Sequence, residues 1–419
     1  MQSPSEEFQT GGRKAHLILI VCSVLYTLDY MDRMALSSVQ ELIKREMSLT
    51  DTQLGTIQAV FLLTVGLLSF PIGYIVDRWR RNRAIGTMSL FWSFCNVLTG
   101  LATSFISLLV PRILAGAGKS AFSNSGISLV TAAYPRDKHG TVVGIFTISI
   151  PLGLALGTFF AGSLAVFTGW RAPFFILAVI SGITGIAAFY LWDYQTDSTG
   201  IPGGLRGFSH SIVTLLKVPT LRWMFLGFGM LMLTIQAQLA WMPSYLMRLY
   251  GWDTAQAGGI TGIIGLMAVV GALTGGLAAD MWYRKNRKGR LYLPAAAAVG
   301  SSICMVAAFY GFSISLPLGI VFGLLFGAIS MVAIPSLSSV SQDVVPLAHK
   351  GLSYGLTVFS MYFLGGAWSP MVVGAISDSL GGGAPGLMWA AIIAGAGGVL
   401  ALICFLLSAR RYEQDEDRR

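Results

Sequence analysis

The chain has 419 residues, of which 54% are hydrophobic and only 11% are charged, and its mean hydropathy is +0.68. A soluble chain carries about 25% charged residues, so this composition cannot cover a soluble surface of that size. The net charge of +9 could indicate nucleic-acid binding, but most Lys and Arg residues stand in short runs between apolar stretches, where membrane proteins carry orientation signals. The composition therefore predicts a membrane domain with no nucleic-acid partner.

Apolar runs between charged or Pro- and Gly-containing breaks predict twelve transmembrane helices. A span of about 20 residues with its connection repeats roughly every 35 residues, which places twelve spans in this length. The first six are predicted at 16–38, 52–76, 84–104, 106–132, 140–166 and 171–192, and the second six at 220–247, 255–280, 291–311, 315–342, 351–378 and 386–408. The first run contains charges and has no small-residue cleavage site, so it is predicted to remain as a helix and not to be a signal peptide.

The two sets of helices are separated by residues 193–219, which contain YQTDSTGIPGGLRGFSHS. Gly, Ser and Pro predict a flexible linker here, so the expected organisation is a six-helix bundle at 1–192, a cytoplasmic linker, and a second bundle at 220–419. Basic residues fall at alternate connections, in the runs GGRK, RWRRNR, PRDKH, RKNRKGR, AHK and ARR. The positive-inside rule then predicts that both termini are cytoplasmic and that the protein lies in the inner membrane.

A loop motif occurs twice, about half a chain apart. GYIVDRWRRNR follows the second helix and GGLAADMWYRKNRK follows the eighth, and each contains an Asp four residues after a Gly and then a cationic cluster. Repetition in equivalent places indicates an internal duplication. Glycine allows close helix approach and the Asp can pair with a cation, so the motif predicts a latch between helix ends in one conformation, with topology signalling alone as the alternative. The predicted latch residues are Gly73, Asp77, Arg78 and Arg81 in the first copy and Asp280 and Arg284 in the second.

With this loop the chain resembles the major facilitator superfamily. RILAGAGKSAF at 112–122 is similar to the family's Arg-x-x-x-Gly-x-Gly pattern, and ISIPLGLALG at 148–157 resembles its Pro- and Gly-rich fifth-helix motif. The resemblance runs from Leu17 to Leu407. It implies the major facilitator fold, an all-α membrane protein of two six-helix bundles that rock about a central site, and a monomer.

Two further segments resemble particular branches of that superfamily. LDYMDR at 28–33 and WMPSYLMRLYGWD at 241–253 resemble the anion:cation symporters of sugar acids and other carboxylates, and also the spinster-like lipid transporters. Those relatives use a helix-one Asp and a helix-four Glu for proton coupling, which implies Asp32 as a proton carrier here. This chain differs from them in having Asp29 in place of an Asn and Lys119 in place of the Glu.

Five ionisable residues lie within apolar helices: Asp29, Asp32, Arg33, Arg112 and Lys119. Each charge costs at least about 2.5–3.5 kcal/mol at the centre of a membrane, so such residues are expected to be paired or to face water. Their formal sum is one positive charge, which suits an anionic substrate such as a carboxylate. We therefore predict that the three cations bind substrate and that the two carboxylates take part in proton coupling. The alternative for Lys119 is a structural salt bridge with Asp29.

The second half supplies candidate polar and aromatic contacts that would orient a solute without adding charge: Gln236, Gln238, Trp241, Tyr245 and Tyr362. No nucleotide-binding loop, nucleophile elbow or metal-ligand spacing occurs, so neither an enzyme nor a cofactor or metal is expected. The resemblance implies a secondary transporter that moves a small organic anion with protons. An exporter of amphipathic compounds or lysolipids and an uncoupled facilitator are the alternatives.

Overall fold

The computed structural model describes residues 11–76, 79–135, 138–192, 212–346 and 350–417, and within them it is helical, without β-strands. The long helical segments, in chain order, are α1 Gly12–Met47, α2 Asp51–Val76, α3 Arg81–Gly100, α4 Phe105–Ala132, α5 His139–Thr168, α6 Ala172–Phe189, α7 Pro219–Tyr250, α8 Thr254–Lys285, α9 Gly289–Ile314, α10 Leu316–Asp343, α11 Leu352–Ser379 and α12 Gly383–Glu416. Eleven of these are long and apolar enough to cross a membrane, and α3 is the exception in this part of the chain.

Each predicted span overlaps one of these helical segments, and the largest differences are at the C-terminal ends of α1 and α12. The first span was predicted to stop at residue 38, but α1 continues to Met47 through a run of charged residues and ends where Ser48 takes a left-handed conformation. Residues 193–211 of the predicted linker lie outside the described residues. Residues 212–217 of the linker are helical, with Leu215 buried.

The helices carry large apolar side chains on their outward surfaces. Phe167 is 86% exposed, Leu277 69% and Ile183 64%. Such continuous apolar exposure is unusual for a soluble monomer and is normal for a surface that contacts lipid. The exposed apolar surface and the lengths of the helices therefore both indicate a membrane environment.

Several helices are interrupted at mid-length. The helical pattern of α4 breaks after Lys119, that of α8 breaks at Met267, and α11 contains a π-helical turn at Tyr362–Gly366. A π-helical turn widens the backbone locally and is frequent at functional positions. At the break in α4 the side chains of Lys119, Ser120 and Ala121 are buried.

The helix α3 runs antiparallel to α6 over its full length. Near its beginning the Asn82 side-chain amide donates to the Leu191 carbonyl at 2.9 Å, and midway the Ser93 and Ser181 hydroxyls lie 2.7 Å apart. At its end Gly100 approaches the ring of Phe175 so closely that a Cβ there would lie 2.8 Å from it. The two helices thus occupy the same depth.

We call α1–α6 the first lobe and α7–α12 the second lobe, and we call the helix ends that carry the basic loops the inner ends. The lobes contact each other mainly through α5 with α8 and through α2 with the last part of α11. Between described residues, all hydrogen bonds and ion pairs that join the lobes lie at mid-length or at the outer ends. The protein is therefore closed at its outer side.

Glycines allow the close contact between α5 of the first lobe and α8 of the second. A Cβ on Gly258 in α8 would lie 2.6 Å from the carbonyl oxygen of Thr158 in α5, whereas the neighbouring Gly259 has nothing within 4 Å. Beside them the Thr254 hydroxyl donates to the Gly162 carbonyl at 2.7 Å. Because small residues let helix backbones touch, this contact depends on Gly258.

We predict that Gly258→Val separates the outer ends of the lobes, since no side chain fits between α8 and α5. Spin labels on cysteines introduced at Leu101 and Ile314, which are 61% and 62% exposed at the outer ends of the two lobes, would report a longer distance. The four native cysteines are buried and will not compete for the label. Gly259→Val is the matched control, and an equal distance change in both variants would contradict the prediction.

Candidate functional site

Five charged side chains of α1 and α4 form one buried cluster. The Arg33 guanidinium donates to both carboxylate oxygens of Asp29, at 2.8 and 3.3 Å. The Lys119 ammonium lies between the two acids, 3.2 Å from Asp29 and in a short hydrogen bond with Asp32. Arg112 approaches the same Asp32 carboxylate at 3.4 Å. The five charged residues singled out from the sequence therefore lie together, and the ammonium of Lys119 contacts both carboxylates.

The local sequence explains why these groups meet. The two acids stand three residues apart on α1 and so share one face of that helix. On α4, Gly116 lies so close to α2 that a Cβ would be 2.7 Å from the Phe61 carbonyl oxygen. Because α4 lies so close to α2 here, Lys119, at the break in α4, lies inside the first lobe.

The cluster retains one positive charge and several unused donors. Asp29 and Asp32 offset two of the three cations, and Nε and Nη2 of Arg112 have no hydrogen-bond partner among the described atoms. The ring of Phe174 lies 5.0 Å from the Arg112 guanidinium and supplies a cation–π contact. Unpaired guanidinium donors in a buried place favour an additional anion or an ordered water.

Arg33 is the member of the cluster that reaches the second lobe. Its side chain is 10% exposed, whereas the side chains of Lys119 and Arg112 are 0% and 2% exposed. Its Nη1 donates to the Tyr362 hydroxyl at 3.1 Å, and Tyr362 begins the π-helical turn of α11. The predicted Arg33 and Tyr362 thus lie together between the lobes.

The other residues predicted in the second lobe divide into two groups. Gln236 is half-buried, and Gln238 is buried with neither amide atom hydrogen-bonded among the described atoms, beside a cavity of about 20 Å³. The Trp241 indole donates to the Pro370 carbonyl at 3.0 Å, and the Tyr245 hydroxyl donates to the Phe309 carbonyl at 2.6 Å. We therefore place Trp241 and Tyr245 in the packing of the second lobe, since their polar atoms are already used there.

The predicted latch is only partly described. Asp77 and Arg78 lie outside the described residues, Gly73 lies in the last turn of α2, and Arg81 is buried at the start of α3.

In the second copy Asp280 pairs with Arg290 at 3.4 Å and not with Arg284, which is exposed. Arg290 also bonds Asp343 and stacks on Tyr283, all within the second lobe. Arg290 lies two residues beyond the end of the second motif copy at Lys288, so the motif alone did not identify it as the partner of Asp280.

A second charge network, which the sequence reasoning missed, closes the outer ends. Arg248, in the last turn of α7, donates to Glu41 at 2.6 Å and to both oxygens of Asp51 at 2.6 and 2.7 Å. Lys44 approaches the Asp51 carboxylate at 2.5 Å, and the Ser377 hydroxyl donates to it at 2.7 Å. Four of these residues are the outer gate: Glu41, Lys44, Asp51 and Arg248. Glu41, Lys44 and Asp51 stand in the mixed-charge run at 40–51, which was the available signal.

Asp378 of α11 reinforces the gate by capping α2 from the other lobe. Its carboxylate accepts from the backbone N–H groups of Asp51 and Thr52 at 3.1 and 2.8 Å, and from the Thr52 hydroxyl at 2.6 Å. The first N–H groups of a helix have no partner within the helix, and the helix dipole favours an anion there. Asp378 of the second lobe thus accepts the hydrogen bonds of the free N–H groups at the start of α2 in the first lobe.

The sequence profile of the Major Facilitator Superfamily matches residues 22–370. The chain is 28% identical over 298 residues to the probable sulfoacetate transporter SauU of Cupriavidus necator, covering 68% of this chain and 69% of that protein. It is 26% identical over 373 residues to the hexuronate transporter of Bacillus subtilis, covering 84% and 86%. The crystal structure of a bacterial homolog to the human lysosomal transporter spinster, inward-facing and unoccupied, superposes with a TM-score of 0.84 at 20% identity, covering 97% and 99%.

We predict that Lys119→Met lowers the thermal unfolding temperature, because it leaves Asp29 and Asp32 without their shared cation. Removing one partner of a buried pair costs about 3–5 kcal/mol. The double variant with Asp32→Asn should recover part of the loss, as measured by thermal unfolding in detergent. Lys138→Met, at an exposed site, is the control. Losses that add in the double variant would show that the pair does not form.

We predict that Arg248→Gln opens the outer side, because Glu41 and Asp51 are then left facing each other without their shared cation. The distance between labels at Leu101 and Ile314 should lengthen. Arg222→Gln changes an exposed arginine on the same helix and should leave the distance unaltered. An unchanged distance in Arg248→Gln would show that the outer side is held closed by the other contacts, among them Gly258 and the Asp378 cap.

Proposed function

This chain belongs to the major facilitator superfamily, and we propose that its cargo is a small organic anion, most simply a carboxylate. As a member of that family it is a multi-pass transport protein of the inner membrane and not an enzyme. The observation that carries the proposal is the buried cluster of Asp29, Asp32, Arg33, Arg112 and Lys119, with its one excess positive charge. Both named sequence relatives are transporters of organic acid anions, which supports the same cargo class.

Arg33 is the group we assign to the carboxylate of the cargo. Its side chain is the most exposed of the three cations and reaches Tyr362 of the second lobe. A planar guanidinium fork can hold a carboxylate by two parallel hydrogen bonds. At present Nη1 of Arg33 bonds the Tyr362 hydroxyl, and both Nε and Nη2 bond Asp29. An entering anion would displace the neutral phenol, which is the weaker of the two partners, and Tyr362 would then be free to donate to the anion.

We propose that one proton accompanies the anion and that Asp32 carries it. In the structure Asp32 is held by Lys119 and Arg112, so a proton can replace them only when a cation leaves. An incoming carboxylate that attracts Lys119 would provide that release. One anion entering with one proton also keeps the charge of the buried cluster at one positive, whereas an anion alone would change it.

The lobe contacts support a proposal of alternating access. The outer side is closed by the outer gate and the glycine contacts, so the present conformation is the one that would exchange cargo at the inner side. We propose that rocking of the lobes breaks these contacts and forms latch contacts at the inner ends. The 1–192 and 220–419 bundles would then be the moving units, with one chain sufficient for transport.

The membrane topology belongs to the same proposal. α3 is less apolar than the other segments but lies alongside α6 at the same depth, so we propose that it also crosses, which gives twelve crossings. An even number puts both termini on one side. The basic connections favour the cytoplasm as that side.

The proposal is tested by uptake of organic acids into vesicles containing the purified protein, with the outside acidified. We expect accumulation driven by the pH gradient in the wild type. Asp32→Asn should abolish this accumulation and leave exchange between labelled and unlabelled anion. Asp253→Asn is the control, because Asp253 is an exposed helix cap and Asn caps equally well.

Three results would contradict parts of the proposal. Uptake that ignores the pH gradient would identify an uncoupled facilitator. Accumulation that survives Asp32→Asn would show that another residue or ion is the driver. Transport of lysolipids with no response to small acids would support the exporter of amphipathic compounds instead.

A further inference from the structure

A cavity of about 20 Å³ lies inside the second lobe, where two interrupted helices meet. α8 is interrupted at Met267 and α10 after Ser330, and residues at both interruptions line the cavity. α7 forms a third wall through Gln238, and among the described residues the first lobe contributes Leu154 alone. The cavity is therefore separate from the charged cluster and from the outer gate.

The amide of Gln238 is the unpaired polar group of this cavity. Gln238 is 2% exposed, and neither its nitrogen nor its oxygen has a hydrogen-bond partner among the described atoms. Burying an amide without a hydrogen bond costs about 1–3 kcal/mol. A buried amide of this kind beside a cavity favours a hydrogen-bonding molecule within it.

Two hydroxyl groups supply further partners for such a molecule. Thr261 and Ser330 are buried and line the same cavity. The Thr261 hydroxyl donates to the Ala257 carbonyl at 2.8 Å, and the Ser330 hydroxyl donates to the Gly327 carbonyl at 2.9 Å. Because each hydroxyl spends its hydrogen on its own helix, its oxygen keeps lone pairs that can only accept. The cavity thus offers one amide and two acceptor oxygens.

One water molecule matches both the size and the chemistry of this cavity. A volume of about 10–15 Å³ is enough to hold a water, and a buried water makes about three hydrogen bonds. A water in the cavity would accept from the Gln238 amide and donate to the oxygens of Thr261 and Ser330. An ion would be costly there, because none of the described lining residues is charged.

The interrupted helix α10 has a counterpart in the first lobe. The first part of α4 has 15 residues and ends at Lys119, and its second part has 11. The first part of α10 also has 15 residues and ends at Ser330, and its second part also has 11. Ser330 in the second lobe therefore corresponds to Lys119 in the first.

α1 and α7 correspond in the same way. Both end before a residue in the left-handed conformation, which is Ser48 after α1 and Gly251 after α7. Counted back from these two residues, Asp32 and Ile235 stand at the same position, and Ile235 lines the cavity. An acid and a cation of the first lobe are thus replaced by two uncharged residues that border the cavity in the second.

We infer that this cavity is a binding site for one ordered water, which is held by Gln238, Thr261 and Ser330 where the first lobe has the ammonium of Lys119. A water can exchange its hydrogen-bond partners, whereas an ion pair must separate its charges. The water therefore lets α10 shift against α7 at its interruption, because ordered water can satisfy the polar groups of a broken membrane helix. The charged cluster holds α1 and α4 more firmly.

Leu154 of α5 covers the water from the side of the first lobe. It lies one helical turn inward of Thr158, which contacts Gly258. The water is therefore enclosed while α5 and α8 touch at this level. This inference does not depend on the identity of the cargo.

The test is X-ray footprinting, in which brief irradiation splits water into hydroxyl radicals that oxidise the side chains beside it. Phe326 is 2% exposed and lines the cavity, whereas Phe405 is 0% exposed and does not. We expect mass spectrometry of the wild type to show hydroxylation of Phe326 clearly above that of Phe405. Gln238→Leu should lower Phe326 to the level of Phe405. Gln236→Leu, at a half-buried site outside the cavity lining, is the matched control and should leave Phe326 labelled.

A second variant and a change of buffer complete the test. Ser330→Ala removes one acceptor oxygen and should lower the labelling of Phe326 as well, and unlabelled Phe405 in each variant reports intact packing. Equal labelling of Phe326 and Phe405 in the wild type would overturn the inference, and so would labelling of Phe326 that survives both variants.

A sodium ion in the cavity is the remaining alternative. Labelling of Phe326 in choline chloride and in sodium chloride should be equal. Loss of labelling in sodium chloride would assign the cavity to the ion and overturn the inference. None of these results bears on the proposed function, which uptake of organic acids tests separately.

Discussion

The ammonium of Lys119 between the carboxylates of Asp29 and Asp32 is the contact on which the first lobe depends. Charges inside a membrane are tolerated only when they are paired or reach water, and here five of them are brought to one place by two helices. In the branches that the chain resembles this position is expected to be a glutamate, whereas here Lys119 pairs with both acids. A second carboxylate on α1, at Asp29, requires a cation opposite it, so the two departures from the relatives compensate each other.

The same arrangement, a cation between two carboxylates, recurs at the outer end of α1. There Arg248 of the second lobe lies between Glu41 of α1 and Asp51 of α2. The cluster joins helices of one lobe and the gate joins the two lobes, yet both use α1. Because a helix is rigid over this length, any shift of α1 at Arg33 also moves Glu41.

How far the sequence predicts this structure depends on the range of each interaction. The helices and the five buried charges were predictable, because apolar run length and insertion cost are local properties of the chain. The pairing of Arg248 with Asp51 was not, since the two residues are 197 positions apart and both stand at helix ends where charge is ordinary. Nor could the π-helical turn at Tyr362 be predicted. Trp241 and Tyr245, which were predicted as binding candidates, bond backbone carbonyls of the second lobe. Residue type alone does not show which way a ring points.

A gate with so many short contacts could be expected to lock the carrier in one conformation, but its position prevents this. Breaking a buried ion pair by removing one partner is costly, because the other charge stays desolvated. The proposed rocking of the lobes would remove neither partner, and the charges at the outer ends would regain water as they separate. Hydration would then offset most of the lost attraction, so that the open and closed states would remain close in free energy, as a carrier requires. The close contact at Gly258 and the cap made by Asp378 set how the two lobes meet. The ion pairs align the lobes in the closed state more than they add to its stability.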